Sequence, residues 1–324
     1  MKKLFFKIAL IIIIAFMIPI LFTKKFKQVD TVSDNIEEKV PFDYGKYTNI
    51  RLLHSDTGEV EDLSLDTYLY GVVSAEMPAS YELEALKAQA VVARTYTIYK
   101  IVNGSKHENA DICDDPNCCQ AWISKENRFA RWEKEDREAN WQKIVLAVDS
   151  TAGNYITYNG EPINALFHSN SGGKTEIPIN VWGGDYPYLV SVETSGEEGY
   201  STYNSEVIIS KDELIKRIIE KYPDFKIDFS DSTCIQIVDY TESGRVKTLK
   251  LGNINISGVE ARSIFGLKSA KFDCRIEGET IKFSVIGYGH GVGLSQSGSD
   301  SLAKQGLDYK SIIKHYYKNV EITE

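Results

Sequence analysis

Glu76 is the residue in this chain best placed for acid chemistry. It directly precedes Met77-Pro78 at the end of the segment TYLYGVVSAE. Proline disfavours the helical region at the residue before it, so a helix through this segment stops at about Glu76. The carboxylate then faces the negative end of the helix dipole, which disfavours its ionisation and raises its pKa. A general acid working near neutral pH needs that shift; a surface glutamate at a helix end is the plainer alternative. Lys87 and Arg94 lie seven apart, on one face of the helix that follows. They form either a solvated face or a groove lining that holds an anionic group of the substrate.

His107, Cys113, Cys118 and Cys119 fall within thirteen residues of a polar segment. Imidazole nitrogen and thiolate sulfur are ligands that zinc prefers, although H-x5-C-x4-C-C matches none of the common finger spacings. Adjacent cysteines reach one ion together only under strain, so the expected ligands are His107, Cys113 and Cys119, with water, substrate or another side chain fourth. A Cys113–Cys119 disulfide or free thiols are the alternatives. The zinc would be structural or groove-shaping. Cys234 and Cys274 stand alone in strand-like surroundings and read as buried small hydrophobes.

Two glycine-rich segments carry further candidates. His168, Ser169, Ser171, Gly172 and Gly173 belong to HSNSGG, and His290, Gly291, Ser295 and Gln296 to YGHGVGLSQ. Glycines let backbone approach a ligand closely or take positive φ. Neither segment has the G-x-S-x-G elbow of a serine hydrolase, nor a Rossmann or Walker spacing. A structural turn around a satisfied histidine is the competing reading.

The elements that must position these residues are mixed. Asn49–Leu53 reads as a strand, and Ser64 or Asp66 as the cap of the helix ending at Glu76. A second helix runs from about Ser80 to Val102, with Leu83, Leu86, Ala90, Ala93 and Thr97 as its buried stripe. Strands are expected at 154–158 and 165–169, and again at 189–192, 234–240 and 246–251, with helices at 211–221 and 309–317. The region from about 190 to 280 has the texture of an accessory lobe. Helices and strands alternate without a βαβ rhythm, so the fold class is α+β, a mixed helix/strand core with a second smaller lobe.

The chain has 324 residues, 43% hydrophobic and 26% charged, which excludes a wholly disordered or polytopic membrane protein. Residues 1–27 hold six lysines and no acid; the remainder has 31 basic against 46 acidic side chains, a net of −15. A body that acidic is a poor binder of nucleic acid. The apolar run 8–22, flanked by lysines and lacking an A-x-A-like cleavage site, reads as an uncleaved single-pass anchor. The expected layout is a tip and transmembrane helix at 1–23, a linker at 24–45 and one domain at 46–324, the body lying outside the cytoplasm.

Taken together, LDTYLYGVVSAEMP, ALKAQAVVARTY, FHSNSGG, PYLVSV and YGHGVGLSQ resemble the stage II sporulation protein D family, in the family's order, from about residue 47 to 321. The resemblance implies a lytic transglycosylase that cuts peptidoglycan glycan strands between MurNAc and GlcNAc, leaving a 1,6-anhydro end, during forespore engulfment. It also implies work beside stage II sporulation proteins P and M, in the space between the mother-cell and forespore membranes. It puts the catalytic glutamate on Glu76, the helix cations on Lys87 and Arg94, groove motifs on His168–Gly173 and His290–Gln296, and a loop metal on His107, Cys113 and Cys119. Ser297 stands where the family has tyrosine. A strand stripped of its peptides exposes a lactyl carboxylate on each MurNAc, which Lys87 or Arg94 would read. The rival reading is a glycan-binding activator of a cell-wall amidase that cuts nothing itself.

Overall fold

In the computed structural model, which describes residues 44–323, Ser64 accepts the Thr67 amide and so starts the first helix. That helix (α1, Leu65–Glu76) ends as Met77 turns extended before Pro78. The other helices are α2 (Leu83–Val102), α3 (Lys125–Arg131), α4 (Arg137–Asp149), α5 (Lys211–Ile219), α6 (Gly258–Phe265), α7 (Gln296–Lys304) and α8 (Tyr309–Tyr316). With several small sheets they make the expected α+β fold, and the described residues fall in one compact unit. Among them no helix is long and apolar enough to cross a membrane. The anchor expected at 1–23 lies outside the described residues.

Helix α2 is the centre of the main core. Its alanines let α1, α4, α7 and α8 pack closely around it, so it is buried on every side from Ala88 to Ile98. The expected apolar stripe holds at Leu86, Ala90, Ala93 and Thr97, but the remaining faces are covered as well. Its N-cap, Glu82, makes no side-chain cap. Asp300 of α7 takes that role from a distance, accepting the Glu82 amide at 2.6 Å where the helix end favours negative charge.

A second apolar cluster, including Leu214, Leu249, Phe265 and Phe283, lies within 207–285. Two three-stranded sheets cover it: Phe272–Glu277, Thr280–Ile286 and Asn204–Ser210 form one, and Ile235–Tyr240, Val246–Leu251 and Ile254–Ser257 the other. Phe265 stacks on Phe283 with centroids 4.9 Å apart. No strand forms at 189–192; the Val192 amide donates to Thr175 Oγ1, and the pairing stops at an isolated antiparallel bridge between Lys174 and Glu193.

Two strand pairings matter for function. Phe167–His168 runs parallel to Leu294–Ser295, which brings the two glycine-rich segments side by side across more than 120 residues of sequence. Ile112–Cys113 runs parallel to Asn49–Leu53, which seats the histidine-cysteine segment on the main core.

Candidate active site

Glu76 is held by a loop rather than by its own helix. Gly71, one turn earlier on α1, has no side chain, and a Cβ there would lie 2.1 Å from Trp122 Nε1. The Trp122 indole therefore packs directly against α1, and the neighbouring Ala121 amide donates to Glu76 Oε1 at 2.7 Å. Gln296 Nε2 approaches Oε2 at 3.4 Å. The Glu76 pKa is raised, and burial is the main cause; the Ala121 and Gln296 hydrogen bonds pull the other way.

Two depressions, of about 630 and 420 Å³, meet at Glu76, Ser169 and Gln296. Tyr81, Arg128 and Trp132 line one, while Tyr96, Arg262, Tyr288 and His290 line the other. Asp136 is the other carboxylate among the described residues lining them, and it sits exposed at the rim. A separate hollow of about 400 Å³ lies on the sheet of the second core, around Asn204, Lys271 and Ser284, away from these groups.

The two histidines stay neutral. His168 Nδ1 donates to the Val292 carbonyl at 3.1 Å, while His290 Nδ1 accepts the Val292 amide at 3.0 Å. Burial pushes His168 down to about 3 and His290 well below its ordinary value, helped by Arg245 and Arg262. The glycines between them are required. Gly289, Gly291 and Gly293 have φ of 113°, 86° and 73°, and a Cβ on Gly293 would lie 1.9 Å from the Leu166 carbonyl oxygen.

Several expected substrate-binding residues lie elsewhere. Ser171 and Ser295 are buried, and their hydroxyls donate to Glu197, which also accepts the Ser171 and Gly173 amides at 3.0 and 2.8 Å. Together they stitch the two glycine-rich segments to one buried carboxylate. The Gly172 carbonyl accepts Lys271 Nζ at 2.7 Å, and Gly291 backs onto the Arg245 guanidinium. Ser297 lies 3.4 Å from the Tyr81 hydroxyl, so an aromatic ring reaches this point of the cleft from another segment.

Lys87 and Arg94 also lie outside the two depressions. Arg94 is fully buried and donates to the Asn154 and Val148 carbonyls at 3.3 and 3.2 Å. Lys87 pairs with Glu84 at 2.6 Å, and neither cation lines the cleft. Arg94 lies where α2 packs against residues 148–154, whereas Tyr96 on the same helix lines the cleft.

The metal-type ligands do converge, with one correction. Ligand atoms of His107, Cys113, Cys118 and Cys119 all lie within 4.8 Å of one another. Cys118 and Cys119 both donate their amides to the Asp115 carbonyl, so the chain turns tightly enough for adjacent thiols to face one point. His107 Nε2 is 3.8 and 3.7 Å from the Cys118 and Cys119 sulfurs, which are 3.9 Å apart. A tetrahedral zinc site has edges of about 3.6–3.8 Å by its bond lengths. The donor set therefore fits a divalent ion, with Cys118 in the fourth position that the sequence left open.

Comparison with known proteins agrees with this layout. The profile of the family described as stage II sporulation protein matches residues 54–158, a span that includes α1, α2 and the cysteine cluster and runs on through α4. Stage II sporulation protein D of Bacillus subtilis (strain 168) is 35% identical over 267 residues, covering 82% of this chain and 76% of that protein. The chain belongs to the stage II sporulation protein D family. The Bacillus amyloliquefaciens member of that family is 33% identical over 278 residues, 85% of this chain and 79% of its own length. The amidase enhancer of Bacillus subtilis is also related, at 27% identity over 308 residues, 79% of this chain and 40% of that protein.

Sequence reasoning about this stage II sporulation protein D relative missed the cleft walls. Tyr96 sits on a helix whose periodicity marks only core, and Arg128 and Trp132 sit in a charged stretch without a motif. Arg262 comes from α6, about 190 residues from Glu76, and carries no local signal. Glu197 looked like any surface acid beside Glu198.

Proposed function

We propose that this sporulation protein is a membrane-anchored lytic transglycosylase that cuts peptidoglycan glycan strands between MurNAc and GlcNAc. One observation carries the reading: a glutamate with a raised pKa at the meeting point of two sugar-sized depressions. The Ala121 amide donates to Oε1 at 2.7 Å while Gln296 reaches Oε2 at 3.4 Å, so Oε2, the more weakly held oxygen, is the one that carries the proton. Glu76 gives that proton to the leaving glycosidic oxygen as the C1–O bond breaks. The MurNAc C6 hydroxyl closes on C1, and its proton returns to the Glu76 carboxylate. The products are a GlcNAc hydroxyl end and a 1,6-anhydro-MurNAc end. No enzyme nucleophile or water is needed, which suits a cleft whose other carboxylate is at the rim.

In this reading His107, Cys113, Cys118 and Cys119 hold zinc. Four protein ligands close the site, so the ion is structural rather than a generator of hydroxide. Its role is to set the loop that presents the Ala121 amide. Residues 1–23 anchor the chain, 24–45 act as linker, and the 46–324 domain works outside the cytoplasm between the two membranes of engulfment. Stage II sporulation proteins P and M are the proposed partners there.

Mass spectrometry of peptide-free glycan incubated with the protein tests the chemistry. Anhydro-MurNAc products that vanish with Glu76→Gln support it. Reducing ends would instead indicate hydrolysis by water. No product from folded protein would leave a non-catalytic glycan-binding activator, a reading that the relationship to an amidase enhancer keeps in play.

A further inference from the structure

The acidic body places two arginines in the cleft with no acidic partner. Arg128 and Arg262 line the two depressions on either side of Glu76, and neither side chain has an ion pair or hydrogen bond among the described residues. Each is partly buried, and each is depressed below its ordinary pKa mainly by burial, Arg128 also by Arg131. Arg128 Nε is buried without a partner, and its guanidinium lies 4.8 Å from the Trp132 ring centroid. Arg262 stands beside Tyr288 in the other depression. Unpaired, desolvated guanidinium groups are costly unless a ligand supplies the anion.

We infer that Arg128 and Arg262 bind lactyl carboxylates of the glycan strand, one on each side of the cutting point, and so select strands whose stem peptides have been removed. The inference rests on the glycan-cutting reading above. Carboxylates recur at every second sugar of an alternating GlcNAc-MurNAc strand, so both sides of a MurNAc–GlcNAc bond offer one. An amide-linked peptide replaces that carboxylate with a neutral, bulkier group and removes the bidentate acceptor that a guanidinium fits. The arginine forks therefore take over the reading role that the sequence assigned to Lys87 and Arg94.

The test is calorimetric binding to the full chain carrying Glu76→Gln, which cannot turn over. The ligands are peptide-free glycan oligosaccharides and the same oligosaccharides with their lactyl carboxylates converted to methylamides. Amidation is expected to weaken binding by about 10-fold or more, as loss of a charge-assisted hydrogen bond does. Adding Arg128→Gln or Arg262→Gln should weaken binding of the acidic glycan by about 10-fold and leave the amidated glycan unchanged. Unchanged binding of the amidated glycan also shows that the variant is folded, and Arg262→Lys should recover part of the loss. Equal binding of both glycans, or equal losses on both in the glutamine variants, overturns the inference. The cutting assay is read separately. An arginine-dependent preference in a protein that does not cut rejects the glutamate chemistry alone, while cutting without that preference rejects the arginines alone.

Discussion

The Ala121 amide donates to Glu76 Oε1 at 2.7 Å, and Ala121 lies two residues beyond Cys119. The candidate acid is thus tied to the segment that ends in the histidine-cysteine cluster. Gln120 between them is buried, and its amide donates to the Tyr68 hydroxyl and to Thr97 Oγ1 at 2.8 and 2.9 Å. Movement of the cysteines would be felt at Glu76 through three consecutive residues.

Metal removal should therefore act on both stability and cutting. A chelator is expected to lower the melting temperature, because binding to the folded state alone stabilises it. Cutting should slow as Glu76 loses its amide partner, with the remaining products still anhydro-ended. Cys118→Ser should weaken zinc by about 10-fold or more in equilibrium dialysis, at least the loss seen when outer partners of a ligand are removed. Unaltered zinc affinity in Cys118→Ser would assign the fourth position to another group.

Glu76 should be a liability to stability. Its pKa is raised in the folded state, so the folded chain holds the proton more tightly than the unfolded chain. That favours folding at low pH and is lost as pH rises through the raised value. Glu76→Gln keeps an acceptor for Ala121 without the buried charge. Its melting temperature should exceed that of the parent at pH 7, and the difference should close below about pH 4, where the carboxyl is protonated in both states. A difference independent of pH would show that burial does not control this group.

Arg94 and Lys87 should separate cleanly. Arg94→Gln leaves two buried carbonyls short of a donor and should cost about 3 kcal/mol or more in urea unfolding. Lys87→Ala breaks a partly exposed pair with Glu84 and should cost at most about 1 kcal/mol. Neither variant should change the ratio of cutting on stripped and peptide-bearing strands. A stable Arg94→Gln that loses this ratio would restore it to the substrate site.

The buried histidines should set the acid limit of the fold. His168 is held at about 3, below its unfolded value, so the unfolded chain takes up the proton first as pH falls. Stability should decline from about pH 6.5 downward, by at most about 1.4 kcal/mol per pH unit for each such group. His168→Asn should flatten that slope, leaving the part due to His290; an unchanged slope would remove His168 from the cause.

Local chemistry was readable along the chain. Ser64 and Pro78 bound α1, so Glu76 had to stand at a helix end, and the clustering of His107, Cys113 and Cys119 announced a metal-type site. What raises the Glu76 pKa was another matter. The main cause of the raised pKa is burial, and burial is decided by packing. The same holds for Arg94. Periodicity reports which side of a helix is apolar, but not that four other helices pack around it until Arg94 is fully buried, and a buried arginine reads in sequence like an exposed one. Cys118 joined the cluster because of a turn around Asp115, and Arg128 and Arg262 meet the cleft from segments with no motif. The sequence by itself determined the candidate acid, three of the clustered metal-type ligands and the family. Tertiary structure alone decided which charges face the cleft, because desolvation and proximity arise only when distant segments pack.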